Sequence, residues 1–204
     1  MALVSSYDGV IFDFGGVLVH YQTDEDHARM AAIAGIPQGI FSELYWASRL
    51  DYDRGALTAA EYWQNLSRQA RTKALDQDTI NRIVEIDNES WMRFDPVMWN
   101  WIDDLRGAGT RVAILSNMPP DLGAALRKRT NRLDQFDQVT LSYEVGSAKP
   151  EPAIYEHCME GLDVPPERTL FLDDRLENVR GAELLGIQAM QFLDRDDVLL
   201  RLRS

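Results

Sequence analysis

Short runs of β-branched and aliphatic residues alternate along most of this chain with stretches of helical period, and that alternation restricts the fold more than any other feature. The runs are Val10 to Phe14, Arg111 to Leu115, Thr169 to Leu172 and Gln188 to Leu193, with a further strand expected at Val139 to Ser142. As short continuous apolar runs they read as buried parallel strands. Helical patterns lie between and after them, at Pro96 to Arg106 behind the cap residue Asp95, Pro120 to Arg129, Glu151 to Glu160 and Leu176 to Leu185. Strands alternating with helices imply βαβ crossovers, hence an α/β fold built on an open parallel sheet with helices on both faces. Such sheets bind ligands at the carboxyl ends of their strands.

The stretch from Thr23 to Ser90 breaks the pattern, with helical signals and no convincing strand. Thr23 with Asp26 and Thr58 with Glu61 form capping-box patterns, the second opening a helix over Tyr62 to Ala70, and Gly35 and Pro37 stop the first helix. A chain of 204 residues suffices for one core and a modest insertion. The expected division is therefore a core of residues 1–20 and 93–204, and a small all-helical cap of residues 21–92 inserted after strand 1, hinged near Tyr21 and Arg93.

Charge narrows the partners. With 33 acidic and 21 basic residues the net charge is −12, which disfavours binding to nucleic acid or anionic lipid. The single cysteine, Cys158, has no internal partner and falls on an apolar helical face, as a buried structural thiol would. No apolar run approaches the roughly 18 residues of a membrane span and no leader pattern opens the chain, so a cytoplasmic protein is expected.

The chemistry is carried by residues at strand ends. Phe12-Asp13-Phe14-Gly15-Gly16 is an apolar strand that ends in a carboxylate and turns at once through two glycines. Asp13 alone could be a turn cap. Its company comes in chain order: Ser116-Asn117 ends the second strand, Lys149-Pro150 precedes a helix, and Asp173-Asp174 ends the strand Thr169 to Leu172. Each has an ordinary surface reading by itself, but all four would converge at one edge of the sheet.

These four segments, with the flanks "LSN", "KPEPAIY" and "FLDDRLENVRGAELLG", resemble the four motifs of the haloacid dehalogenase-like hydrolases, and the helical insertion resembles the C1-type cap of one branch. The resemblance implies a Rossmann-like core and a phosphatase that forms an aspartyl-phosphate on Asp13. It implies Ser116, the Asn117 backbone N–H and Lys149 as phosphate ligands, and Mg²⁺ held by Asp13, Asp174 and the Gly15 carbonyl. Asp173 and Asn178 would orient these groups, and the substrate would be a small phosphorylated metabolite such as a sugar phosphate. Attack by a carboxylate on a phosphate dianion is opposed by charge repulsion, so a dication and a lysine are what such a site needs.

One position departs from the pattern. Most phosphatases of this resemblance carry a second aspartate, the general acid and base, where this chain has Gly15. Such assistance is typically worth about 10²- to 10⁴-fold. The loss points to good leaving groups such as acyl, aryl or anomeric sugar phosphates, to a substitute among His20, Tyr21 and Asp24, or to a non-catalytic binder of a phosphorylated ligand or a protein. A dehalogenase-type hydrolase fits less well, because that chemistry needs no divalent metal and typically lacks the Asp173-Asp174 pair. No G-x-x-x-x-G-K-[ST] loop or dinucleotide glycine pattern occurs, and in a receiver domain the acidic pair would lie near the first strand.

For specificity the cap offers Trp46, Arg49, Tyr52, Arg54 and Trp63, with the two tryptophans read first as bundle core. Trp91, Trp99 and Trp101 are assigned to packing. His27 and His157 have no neighbours at metal-ligand spacing and are expected at the solvent surface.

Overall fold

The structure, a computed structural model, describes residues 7–202. Five parallel strands, β1 (Gly9–Phe12), β2 (Arg111–Ser116), β3 (Gln138–Leu141), β4 (Thr169–Asp173) and β5 (Gln188–Gln191), form one sheet in the order β3-β2-β1-β4-β5. The chain builds outward from β1 to β3 and then returns to the other side of β1 for β4 and β5. That reversal puts a topological switch point between β1 and β4, where an open sheet has its ligand crevice.

Eleven α-helices complete the described residues. Between β1 and β2 lie α1 (Asp24–Ala34), α2 (Gln38–Ala47), α3 (Arg49–Asp53), α4 (Ala59–Gln69), α5 (Gln77–Ser90) and α6 (Pro96–Gly107). After β2 come α7 (Pro120–Arg129), α8 (Ser142–Val145), α9 (Pro152–Leu162), α10 (Leu176–Glu183) and α11 (Arg195–Arg201). No helix of the described residues is long and apolar enough to cross a membrane.

The strands bury alternate residues on opposite faces, as their period of two requires. Val10, Phe12, Val112, Ile114, Leu170 and Leu172 face Met98, Trp99, Ile102 and Leu105 of α6 and Leu122 and Leu126 of α7. Ile11, Ala113, Leu115 and Phe171 face Ile154, Tyr155, Cys158 and Leu162 of α9 and Ala182 of α10. Cys158 is fully buried, and burial pushes its thiol up to about 12.

Helices α1 to α5 enclose an apolar cluster of their own, with Met30, Phe41, Tyr45, Tyr62, Trp63, Leu66, Ile80 and Ile83 wholly or almost wholly buried. Both capping boxes form: Thr23 and Asp26 exchange bonds at the start of α1, and Thr58 and Glu61 at the start of α4. The two passages between this bundle and the sheet run side by side. His20 N–H donates to the Arg93 carbonyl at 2.8 Å, and Arg93 returns a guanidinium bond to the Tyr21 carbonyl at 2.8 Å and an ion pair to Asp26 at 2.7 Å.

Element ends differ from the sequence reading by a residue or two, the usual margin. The larger differences have local causes. The first strand stops at Phe12, leaving Asp13 and Phe14 in the turn, although the Asp13 N–H still donates to the Leu172 carbonyl at 2.9 Å. The last strand stops at Gln191, and a helix follows that the sequence reading did not contain, α11, capped by Asp194 accepting from the Asp197 N–H at 2.9 Å. Ser142 begins α8 rather than ending β3. His27 is half-buried, not a surface residue: its ring packs on Phe41 and Tyr45 and bonds the Gln22 side chain. His157 is exposed.

Candidate active site

The register of the sheet brings the strand-end residues together. Phe12 is level with both Ile114 and Leu172, so Asp13 and Asp173 emerge side by side at the carboxyl edge, with Ser116 two residues beyond Ile114. Lys149 arrives from the loop before α9. The residue is 2% exposed, and its ammonium lies 2.8 Å from Asp13 Oδ1 and 2.6 Å from Asp173 Oδ2. Burial favours neutral lysine, but the two carboxyls beside it outweigh this and raise its pKa.

Asp173 is fully engaged. Besides Lys149 it accepts from the Arg175 N–H at 2.8 Å and from the Asn178 amide at 3.0 and 3.1 Å, so Asn178 anchors the turn. Asn117 spends its side chain on the Lys149 backbone, accepting from its N–H at 2.8 Å and donating to its carbonyl at 3.0 Å. That reciprocal pair fixes the loop that delivers the ammonium.

Asp13 and Asp174 are different. Asp13 uses Oδ1 for Lys149 and for the Phe14 N–H, at 2.6 Å, while Oδ2 has no partner among the described residues. Asp174 uses Oδ2 for the Tyr21 hydroxyl and keeps Oδ1. Burial pushes the Asp13 carboxyl up to about 8 against the pull of Lys149, and burial likewise raises Asp174. Carboxylate oxygens of Asp13, Asp173 and Asp174 all lie within 4.8 Å of one another. Three carboxyls share one lysine, an excess of negative charge that a hard dication with oxygen ligands would offset. The donor set fits Mg²⁺, with Asp13 and Asp174 as the carboxylates free to ligate.

Above the cluster lies a cavity of about 500 Å³ lined by Asp13, Ser116, Asn117, Lys149 and Asp174, and by residues of the helical insertion. Of the five cap residues singled out in the sequence, Trp46 and Arg49 reach it. Trp63 is core, Tyr52 is buried with its hydroxyl on Asp121 Oδ2 at 2.8 Å, and Arg54 pairs with Glu151 at 2.7 Å. Trp46, read as core, is 46% exposed and lines the cavity. Arg49 lines the cavity with two of its guanidinium nitrogens committed within the protein, Nε to Asp53 at 2.7 Å and Nη1 to Asp87 at 2.9 Å and to the Tyr45 hydroxyl.

Of the three acid/base substitutes, His20 and Asp24 are surface residues outside the cavity, whereas Tyr21 lines it. Burial and the bond to Asp174 push the Tyr21 phenol above its ordinary range, so it stays a proton donor throughout the working pH.

Trp91, assigned to packing from the sequence, also lines the cavity, and its ring occupies the space beside Gly15. A Cβ at Gly15 would sit 3.0 Å from Trp91 Cζ3. Gly16 has φ of +77°, and a Cβ there would meet the Tyr21 ring at 2.7 Å. No local pattern links Gly15 to Trp91, 76 positions away. Restoring the absent carboxylate is therefore a packing problem. Gly15→Asp is expected to cost about 1–3 kcal/mol by overpacking, and less in a Trp91→Leu background; urea unfolding of the two singles and the double variant checks it.

A family model for haloacid dehalogenase-like hydrolases matches residues 7–186. The chain belongs to the haloacid dehalogenase-like hydrolases. Within the family it is 26% identical to a sesquiterpene phosphatase, astK, of Aspergillus oryzae, over 99% of this chain and 98% of that protein. It is 27% identical to a D-ribitol-5-phosphate phosphatase of Bacteroides thetaiotaomicron, over 89% of this chain and 90% of the relative. A crystal structure of a family enzyme from B. thetaiotaomicron, bt-2542, in complex with magnesium and inorganic phosphate, superposes with a TM-score of 0.74 at 25% identity, over 91% of this chain and 93% of the other.

Proposed function

We propose that this protein is a Mg²⁺-dependent phosphatase that hydrolyses a small phosphorylated metabolite through an aspartyl-phosphate on Asp13. The carrying observation is the buried Asp13–Lys149–Asp173 cluster beside Asp174, with one oxygen of Asp13 left open to the cavity. One relative named as a D-ribitol-5-phosphate phosphatase, and a family enzyme crystallised with magnesium and inorganic phosphate, support the same reading.

Asp13 Oδ2 attacks phosphorus as the bond to the leaving oxygen breaks. Water then attacks the phosphorus of the aspartyl-phosphate, releasing inorganic phosphate and restoring the carboxylate. Lys149 holds the nucleophile and offsets charge on the transferring oxygens, assisted by the Ser116 hydroxyl and the Asn117 N–H. Asp173 and Asn178 keep the ammonium aimed. Mg²⁺, held by Asp13, Asp174 and the Gly15 carbonyl, would supply the charge that lets a phosphate dianion approach a carboxylate. Residues 21–92 act as the cap that closes the site, and residues 1–20 and 93–204 as the catalytic core.

With no carboxyl at Gly15, the leaving oxygen departs without a proton donor at that position, so leaving groups that are stable as anions are favoured. A phosphate-release screen with aryl, acyl, sugar-1- and sugar-6-phosphates, with and without Mg²⁺, is expected to give metal-dependent release, slowest for the sugar-6-phosphates. Absence of Mg²⁺-dependent release from every substrate would overturn the proposal.

The raised Asp13 pKa has a sign that can be tested. Below about pH 8 the carboxyl of the metal-free protein holds a proton that a cation must displace. Apparent Mg²⁺ affinity should therefore rise with pH, by up to about tenfold per unit, and level off above about 8. Thermal-shift titrations with MgCl₂ from pH 6 to 9 measure it.

A further inference from the structure

The phosphate end of the cavity is polar, and the remainder sets large apolar side chains beside Arg49, Asp53, Arg175 and Glu177. Phe14, Trp91, Met118 and Leu122 line it from one side, and Trp46 and Leu50 from helices α2 and α3 of the insertion. Trp46 and Leu50 are 46% and 42% exposed, unlike the buried aromatic residues behind them. They sit on either side of the break at Ser48 between the two helices, and both line the cavity. Large apolar side chains left open inside a concave site mark a surface that an apolar ligand covers.

The polar side chains of the lining lead to the same end, because most of them already have partners within the protein. Arg49 is paired with Asp53 and Asp87, and Arg175 with Glu177 at 2.5 Å. The Asn117 amide is bound to the Lys149 backbone, the Asn178 amide to Asp173, and the Tyr21 hydroxyl to Asp174. Ser116 and Lys149 remain for the phosphoryl group. A polyhydroxylated leaving group enclosed here would lose its water and find few partners, which disfavours it.

We infer that the substrate is a phosphate monoester whose alcohol half is an apolar aromatic or hydrocarbon skeleton, and that Trp46, Leu50 and Trp91 select it; this rests on the phosphatase assignment above. Trp91 is the link between the two unusual features of the site. Its ring occupies the space beside Gly15 where a general acid would stand, so the leaving group meets an apolar wall in place of a proton donor.

The test separates recognition of the skeleton from the chemistry. Inhibition constants are measured in the presence of Mg²⁺ for three non-hydrolysable phosphonates, methylphosphonate, naphthylmethylphosphonate and a sugar-based phosphonate, against turnover of an aryl phosphate, with direct binding by calorimetry. Naphthylmethylphosphonate is expected to bind at least about tenfold more tightly than methylphosphonate, from the apolar area it covers, and the sugar phosphonate no more tightly than methylphosphonate. Trp46→Ala should shrink the tenfold ratio to about threefold or less, and Leu50→Ser, a milder change on helix α3, should move it in the same direction. Equal affinities for all three phosphonates, or preference for the sugar, would overturn the inference while leaving the phosphatase assignment standing. Failure of every phosphonate to bind with Mg²⁺, together with absence of turnover, would overturn both.

Discussion

Asp13→Asn is expected to abolish hydrolysis, with a loss on the order of 10⁴-fold or more, because Asp13 Oδ2 is the oxygen proposed to attack phosphorus, Asp173 is fully engaged and the free oxygen of Asp174 is assigned to the metal. Asp173 is bound through both oxygens, and Asp174 is turned to Tyr21. The same change should not weaken the metal-free fold. Burial pushes the Asp13 carboxyl up to about 8, so its ionised form is unfavourable in the folded state. Between the unfolded carboxylate range and about pH 8 the folded state holds the extra proton, and this group's contribution to stability falls as pH rises through that window. A neutral amide escapes that fall. In EDTA at pH 8 the variant should melt at or above the wild-type temperature, and it should lose most of the stabilisation that Mg²⁺ gives the wild type. Residual turnover within tenfold of wild type would remove Asp13 from the mechanism.

The second large effect is on stability, in the helical insertion. Arg49, 5% exposed, bridges Asp53 and Asp87 and lies over the rings of Tyr45, Tyr52 and Tyr62, at 4.8, 5.5 and 6.0 Å from the ring centroids. Burial raises the Asp53 carboxyl even with the guanidinium beside it. Arg49→Met leaves two buried carboxylates without their cation and is expected to cost about 3–5 kcal/mol, which for a chain of this size lowers Tm by roughly 6–20 °C. Replacing the two aspartates together with Arg49 by apolar residues should recover much of the loss, since the penalty lies in the unpaired charge. Guanidinium unfolding of the single and triple variants measures both. A cost below about 1 kcal/mol for Arg49→Met would mean that the network behaves as a surface pair.

The sheet was legible because its strands are short apolar runs closed by a change of residue type. Asp13, Ser116 and Asp173 follow or end such runs, and parallel register brings Asp13 and Asp173 level, with Ser116 one residue further along. The two capping boxes were legible for a similar reason, since their hydrogen bonds close over three residues. What lay beyond the sequence was contact across long separations. Nothing local ties Trp91 to Gly15, the Tyr21 hydroxyl to Asp174, or Arg49 to Asp87. Helical period cannot tell Trp63, buried in the bundle, from Trp46, open to the cavity, because both lie on amphipathic helices and only the packing of neighbouring helices separates them. The Asp194-to-Asp197 capping pattern was present in the sequence but was overridden by the apolar run before it, which extended the last strand to Leu193.

An aspartyl-phosphate on Asp13 is the intermediate on which the proposed reaction turns, and it can be trapped there. Enzyme turning over an aryl phosphate with Mg²⁺ is quenched in acid, reduced with borohydride and mapped by peptide mass spectrometry. Reduction of an aspartyl-phosphate gives homoserine, and homoserine is expected at position 13, absent without Mg²⁺ and absent in Asp13→Asn. Steady hydrolysis with homoserine at another aspartate, or retained by Asp13→Asn, would contradict it.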